Sequence, residues 1–197
     1  MTAAIAPPVR PSVLGRPHRV SASEYHRMGE LGVLGPELRT ELIDGEIIDM
    51  PPIGHPHAGT VDLIADRLRD AVGKQALVRV QNPIWLDDYS EPLPDITLLR
   101  PRPDYYRNAH PSPSDVLLLI EVADSSLAYD RDVKLPRYAL AGIPEVWLVD
   151  LAGRRLTVCC RPDAGRWSEV ETVSDLASVR LPSTGGQPVL LDLSDLF

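Results

Sequence analysis

Five consecutive apolar residues, Val116-Leu117-Leu118-Leu119-Ile120, run directly into an acid, Glu121. An unbroken apolar run of this length has the size of a β-strand buried on both faces, and so belongs near the centre of a layered sheet. The flanking sequence supplies the layers. Between residues 56 and 72, Val61, Ile64, Ala65, Leu68 and Val72 recur at spacings of three and four, while Asp62, Asp66, Arg67, Arg69 and Asp70 fill the other face. That pattern predicts an amphipathic helix closed by Gly73. Residues 127–141 predict a second helix ended by Gly142, with Pro136 bending it locally because it lacks an N–H and crowds the Asp132 carbonyl. Strands are expected at residues 77–85, 94–99 and 145–150. Asp44-Gly45 between Glu41-Leu42-Ile43 and Glu46-Ile47-Ile48 predicts a hairpin. Ser21 or Ser23 is placed to cap a short helix ending at Gly29. Residues 155–160, 167–173 and 189–193 predict a closing series of antiparallel strands. This order describes a mixed α+β sheet with helices packed against it and an antiparallel C-terminal extension.

A chain of 197 residues is most simply one domain, here residues 20–197, preceded by an arm at residues 1–19 that is rich in proline and expected to be disordered. No apolar stretch approaches the roughly 20 residues that span a bilayer, and the first residues lack the apolar core of a signal peptide. Cys159 and Cys160 are neighbours on an expected strand, so their side chains face opposite ways. A disulfide framework is not indicated, and a cytoplasmic protein is expected. The net charge of −8 argues against a constitutive, high-affinity nucleic-acid binder. It leaves room for a nuclease, because a site filled with carboxylates is acidic until a divalent cation arrives.

Two acids interrupt apolar strands: Glu121 follows one, and Asp95 precedes Ile96-Thr97-Leu98-Leu99. An ionised carboxylate buried without a partner costs several kcal/mol, so each needs a cation, a hydrogen-bond partner or a metal. Either acid alone also fits a turn former or half of an ion pair. Two such carboxylates at neighbouring strand ends make a hard oxygen site suited to Mg2+ or Mn2+.

Pro94-Asp95 followed by Glu121-Val122-Ala123 resembles the active-site pattern of the PD-(D/E)XK nuclease superfamily. Further stretches resemble the Uma-two family of bacterial restriction-endonuclease-like proteins within it. They are Thr40 to Glu46, Pro56-His57 opening a helix, and the block from Ile120 through Asp130, Lys134 and Tyr138 to Gly142-Ile143-Pro144-Glu145-Val146-Trp147-Leu148-Val149-Asp150. The resemblance implies a restriction-endonuclease-like core and an Mg2+- or Mn2+-dependent endonuclease acting on DNA. It implies Asp95 and Glu121 as metal ligands, with the Val122 carbonyl as a third oxygen and Glu41 as an additional acid. The superfamily lysine is expected two residues after the second acid, where this chain has Ala123. The family resemblance moves that amine to Lys134, with Tyr138 four residues on and therefore on the same helical face. Paired subunits are a further implication. The missing lysine at Ala123 and the acidic charge support an alternative, a catalytically silent nuclease fold serving as a binding or assembly module.

Other features are weaker signals. His57 is expected to cap its helix or edge the site, and His55 with His57 is a two-ligand loop pair without further ligands nearby. Asp130-Arg131-Asp132 reads as a solvated face, with Asp130 also spaced to pair with Lys134. Trp147 reads as core, and Trp85, followed by Asp87-Asp88-Tyr89, either sits near a loop that contacts substrate or ends a strand. Arg79, Arg100, Arg102, Arg107, Arg137, Arg154 and Arg155 are available phosphate contacts.

Overall fold

A computed structural model of the protein describes residues 17–35, 38–183 and 188–197. Most of the expected arm, residues 1–16, lies outside the described residues. Helix α1 (Ala22–Glu30) opens on a capping box in which the Ser21 hydroxyl and the Glu24 carboxylate each accept from the other's backbone N–H. It runs through Gly29 rather than ending there, and the chain reverses at Gly32, φ +69°. Strands β1 (Thr40–Ile43) and β2 (Glu46–Asp49) form the expected hairpin. Its Asp44 and Gly45 have φ of 52° and 80°, the doubly left-handed turn that matches strand twist.

The core sheet has six strands side by side: β3 (Leu77–Val80), β4 (Ile96–Leu99), β5 (Val116–Ala123), β6 (Glu145–Asp150), β7 (Arg155–Asp163) and β8 (Arg166–Thr172). The apolar run forms most of β5, which is buried along its whole length. Only β5 and β6 pair in parallel, and the other neighbours are antiparallel, so the sheet is mixed. A parallel pair needs a crossover, and the helical segment between residues 127 and 140 provides it.

Each face of the sheet has its own apolar layer. Helix α2 (His55–Val72) lays Val61, Ile64 and Leu68 against Leu118, Ile120, Val122 and Trp147, and the C-terminal residues Leu181, Leu191 and Leu193 complete that layer. On the other face, Leu135 and Tyr138 of the crossover pack on Leu119, Ala123, Val146 and Leu148. Trp147 is fully buried, as its sequence context implies. Cys159 is buried in the second layer and Cys160 is half-buried, and both are free thiols. Among the described residues no helix is long and apolar enough to cross a membrane.

Three elements depart from expectation. The strand expected at residues 77–85 stops at Val80, because Gln81 takes a φ of +49° and its N–H turns to the Asp95 carbonyl at 2.9 Å. Trp85 therefore lies beyond the strand, and it is exposed. The last strand, β10 (Leu190–Leu191), pairs with β9 (Val179–Arg180) in a separate two-stranded sheet instead of extending the main one. The main sheet ends at β8, a largely exposed edge carrying Glu169 and Glu171, and charges of this kind discourage another strand from pairing. The crossover helix is not uniform. It comprises α3 (Leu127–Tyr129), a π turn at Asp130–Lys134 and α4 (Leu135–Leu140).

Candidate active site

The π turn shapes the site. Leu135 N–H bonds the Asp130 carbonyl five residues back, one more than in an α-helix. The widened turn falls just before Pro136, which has no N–H to give and would crowd a regular turn. It puts Asp130, Lys134 and Tyr138 on the buried side. The expected solvated face is therefore corrected in part. Arg131 and Asp132 are exposed and bond each other, but Asp130 is buried and accepts from the Ser126 hydroxyl at 2.5 Å.

Lys134 reaches across to two strands. Its Nζ lies 2.9 Å from Glu121 Oε1 and 3.2 Å from Glu41 Oε2. Glu121 is the sixth residue of β5 and shares a face with Leu119 and Ala123, the face this crossover covers. Glu41 lies in β1, whose Leu42 exchanges backbone hydrogen bonds with Glu91, so that the following Leu93 N–H donates to Glu41 Oε2 at 3.1 Å. Asp95 immediately precedes β4, and the pairing of Ile96 with Ile120 brings it beside the end of β5. Its Oδ2 accepts from Val122 N–H at 2.9 Å and meets His57 Nε2 at 3.1 Å, while Gln81 Nε2 donates to Oδ1 at 3.2 Å.

Residues 41, 95, 121 and 134, distant in the chain, thus converge. Glu41, Asp95, Glu121 and Lys134 all line one cavity of about 400 Å³, together with His57, Gln81 and Asp130. Val122 takes part through its N–H and does not line the cavity, and Tyr138 stands behind it, donating to Glu121 Oε1 at 2.6 Å. His57 sits in the first turn of α2 and not at its cap, which is Gly54; it lines the cavity and its Nδ1 is buried without a partner. His55 at the start of α2 is exposed. The arginines expected as phosphate contacts do not line the cavity, and most are bonded elsewhere, as Arg102 is to Asp104 and Arg155 to Asp150. Arg39 lines it instead.

Burial and charge oppose each other here. Burial pushes Glu121 up to about 8, more than the Lys134 charge and the Tyr138 hydroxyl offset. Burial would lower Lys134, but Glu121, Glu41 and Asp130 outweigh it and hold the ammonium above its ordinary value. One amine shared by two carboxylates balances one charge, not both. Burial would raise Asp95 too, yet His57, the Val122 N–H and Lys134 hold it below the usual range. Its partner His57 is correspondingly raised, chiefly by the hydrogen bond to Asp95.

This donor set fits a hard divalent cation. The cavity wall carries Glu41, Asp49, Asp95, Glu121, Asp124 and Asp130 against Arg39 and Lys134, with oxygen donors and no thiolate. The excess of carboxylate over ammonium is the charge a cation would balance. Tyr138→Phe is expected to cost about 1–3 kcal/mol, because Glu121 Oε1 loses a buried donor; urea denaturation measures it.

Several of these residues carry no legible signal in the sequence. Gln81 is a polar residue in a strand-like stretch, and its role follows from a strained backbone at the site. Asp124 and Ser126 follow β5 as ordinary loop residues. The i, i+4 spacing of Asp130 and Lys134 puts the two on one helical face without saying which way that face turns.

Comparison with known proteins agrees with this architecture. No curated protein matches the sequence. A crystal structure described as a "putative nuclease belonging to DUF820", from Anabaena variabilis ATCC 29413, superimposes with a TM-score of 0.67 at 20% identity, covering 90% of this chain and 97% of that one. At that identity the likeness establishes a shared fold. The model of the Uma2 family, described as "Putative restriction endonuclease", matches residues 22–191. With the match running from α1 to the last strand, the chain belongs to the Uma2 family.

Proposed function

We propose that the protein is an Mg2+- or Mn2+-dependent endonuclease that hydrolyses DNA phosphodiester bonds at this cavity. The observation that carries the reading is Lys134 Nζ, held between Glu41 and Glu121 on a cavity wall that also bears Asp95. Membership of a family described as "Putative restriction endonuclease" supports the same chemistry.

Glu41, Asp95 and Glu121 would hold the cation; the Val122 carbonyl that the resemblance implies as a further ligand does not line the cavity, and Val122 serves through its N–H to Asp95. When bound, the cation supplies Lewis-acid neutralisation of the phosphoryl oxygens and makes a water more acidic. The protein's own groups do the rest. Val122 N–H, Gln81 and His57 fix the Asp95 carboxylate, so its orientation is set before substrate arrives. An ammonium has three N–H donors; Lys134 uses two on carboxylates and has a third to orient a water or meet the charge developing on the phosphate. The hydrogen bond to Asp95 raises His57 above its ordinary value, which favours an imidazolium beside the acids. The uncapped N-terminus of α2 at Gly54 lies on the same wall and favours an anion.

The chain has Ala123 where the superfamily pattern has lysine, and an amine beside Glu121 supplied by Lys134 favours this reading over a silent module. Supercoiled plasmid incubated with the protein is expected to be nicked in Mg2+ or Mn2+ and to stay intact in EDTA. Intact plasmid under both conditions contradicts the proposal. Cleavage of both strands would call for two copies of the chain, and light scattering with and without DNA measures that.

A further inference from the structure

A second cluster of ligating side chains lies away from the acids. We propose that His26, Glu91 and His110 form a site for a borderline transition-metal ion of the Zn2+ class. One donor atom from each residue lies within 4.8 Å of the others. The cluster opens on a groove of about 710 Å³, and among the described residues none lines both that groove and the acid cavity.

The three residues come from different parts of the chain and are held with different stiffness. Glu91 is the fixed member. Its side chain is 4% exposed, and its backbone N–H and carbonyl both bond Leu42 of β1. His26 sits on α1 with Nε2 2.9 Å from each Glu91 oxygen. The His110 ring meets the His26 ring edge-on, with centroids 5.7 Å apart. An ion pair between His26 and Glu91 has no use for a second imidazole. Two imidazoles beside one carboxylate also repel each other once both are protonated. A cation that takes a lone pair from each ring removes that conflict.

The donor set selects the metal. Imidazole nitrogen suits Zn2+ and its neighbours in the transition series, whereas Mg2+ prefers oxygen throughout. Zn–N and Zn–O bonds of about 2.0–2.2 Å put tetrahedral ligand atoms roughly 3.4 Å apart. The donor atoms lie within 4.8 Å of one another, and the two histidines are exposed, so their rings have room to turn toward a shared ion. Three protein ligands leave a fourth position for water on the groove side. A bound ion would tie α1 and the segment carrying His110 to Glu91, and through Glu91 to β1.

The test uses the full chain stripped of metal. Zn2+ is titrated by calorimetry, and Co2+ by its visible absorption, which is intense when coordination is tetrahedral. With excess Mg2+ present to occupy the acid cavity, one equivalent is expected to bind wild type and the Asp95→Asn variant alike, and to raise the unfolding temperature of both. His26→Ala and His110→Ala replace exposed residues, and the unfolding midpoint of each without metal reports that it has folded. Each is expected to weaken Zn2+ binding by more than about 100-fold, beyond what losing an outer-shell partner costs. Wild-type affinity in either histidine variant overturns the proposal. So does the absence of a Co2+ band in wild type. Zn2+ binding lost in Asp95→Asn but kept in the histidine variants would assign the ion to the acid cavity and overturn it as well.

Discussion

Lys134→Met is expected to destabilise the metal-free protein by about 3–5 kcal/mol, the cost of stripping a buried ion pair of one partner. Lys134 is 2% exposed, and Glu121 and Glu41 are 2% and 1% exposed, so water replaces the lost ammonium poorly. Methionine keeps the length and fills the space, which isolates the charge from the packing. The remaining carboxylates face each other with Asp130 nearby, and at least one must take up a proton. Adding Glu121→Gln removes one of those acids while leaving an acceptor for the Tyr138 hydroxyl. The double variant is expected to regain at least half of the lost stability and none of the cleavage. Urea denaturation of the two variants and wild type separates the electrostatic cost from the catalytic one. A single variant within about 0.5 kcal/mol of wild type would mean that the amine does not sit between these carboxylates.

Asp95→Asn is expected to reduce the plasmid-nicking rate by about 1,000-fold or more while leaving the fold intact. Losing a ligand at a Lewis-acid site removes several kcal/mol of transition-state stabilisation, and about 4 kcal/mol corresponds to that factor at 1.36 kcal/mol per tenfold. Asparagine still offers an oxygen to Val122 N–H, so the strand end keeps its buried hydrogen bond. What disappears is the charge that raises His57 above its ordinary value and balances a cation. Initial rates of nicking, with thermal melts of each protein as the control for folding, measure the effect. A rate within tenfold of wild type counts against Asp95 as a metal ligand.

Part of this site is legible in the amino-acid sequence. Glu121 and Asp95 stand out because a buried strand leaves a carboxylate no water, a constraint that local sequence carries. The Asp44-Gly45 turn is equally local. The inward position of Lys134 comes through family resemblance, since its spacing from Glu41 and Asp95 in the chain says nothing of their meeting. Asp130 is hidden because its burial depends on one extra residue in a helical turn, and helical periodicity assumes regular turns. Gln81 is hidden because a left-handed backbone at a glutamine has no compositional mark. The short pairing of Leu190–Leu191 with Val179–Arg180 depends on an edge strand that rejects a seventh neighbour, a property of the assembled sheet.

The proposed cleavage at this cavity requires the buried acids to hold a divalent cation. Mn2+ titration by calorimetry addresses that point, comparing wild type with Asp95→Asn and Glu121→Gln. Wild type is expected to bind, and both variants to lose binding while each remains folded. Binding that survives both substitutions unchanged, or no binding by wild type at all, would contradict a metal-holding role for these carboxylates.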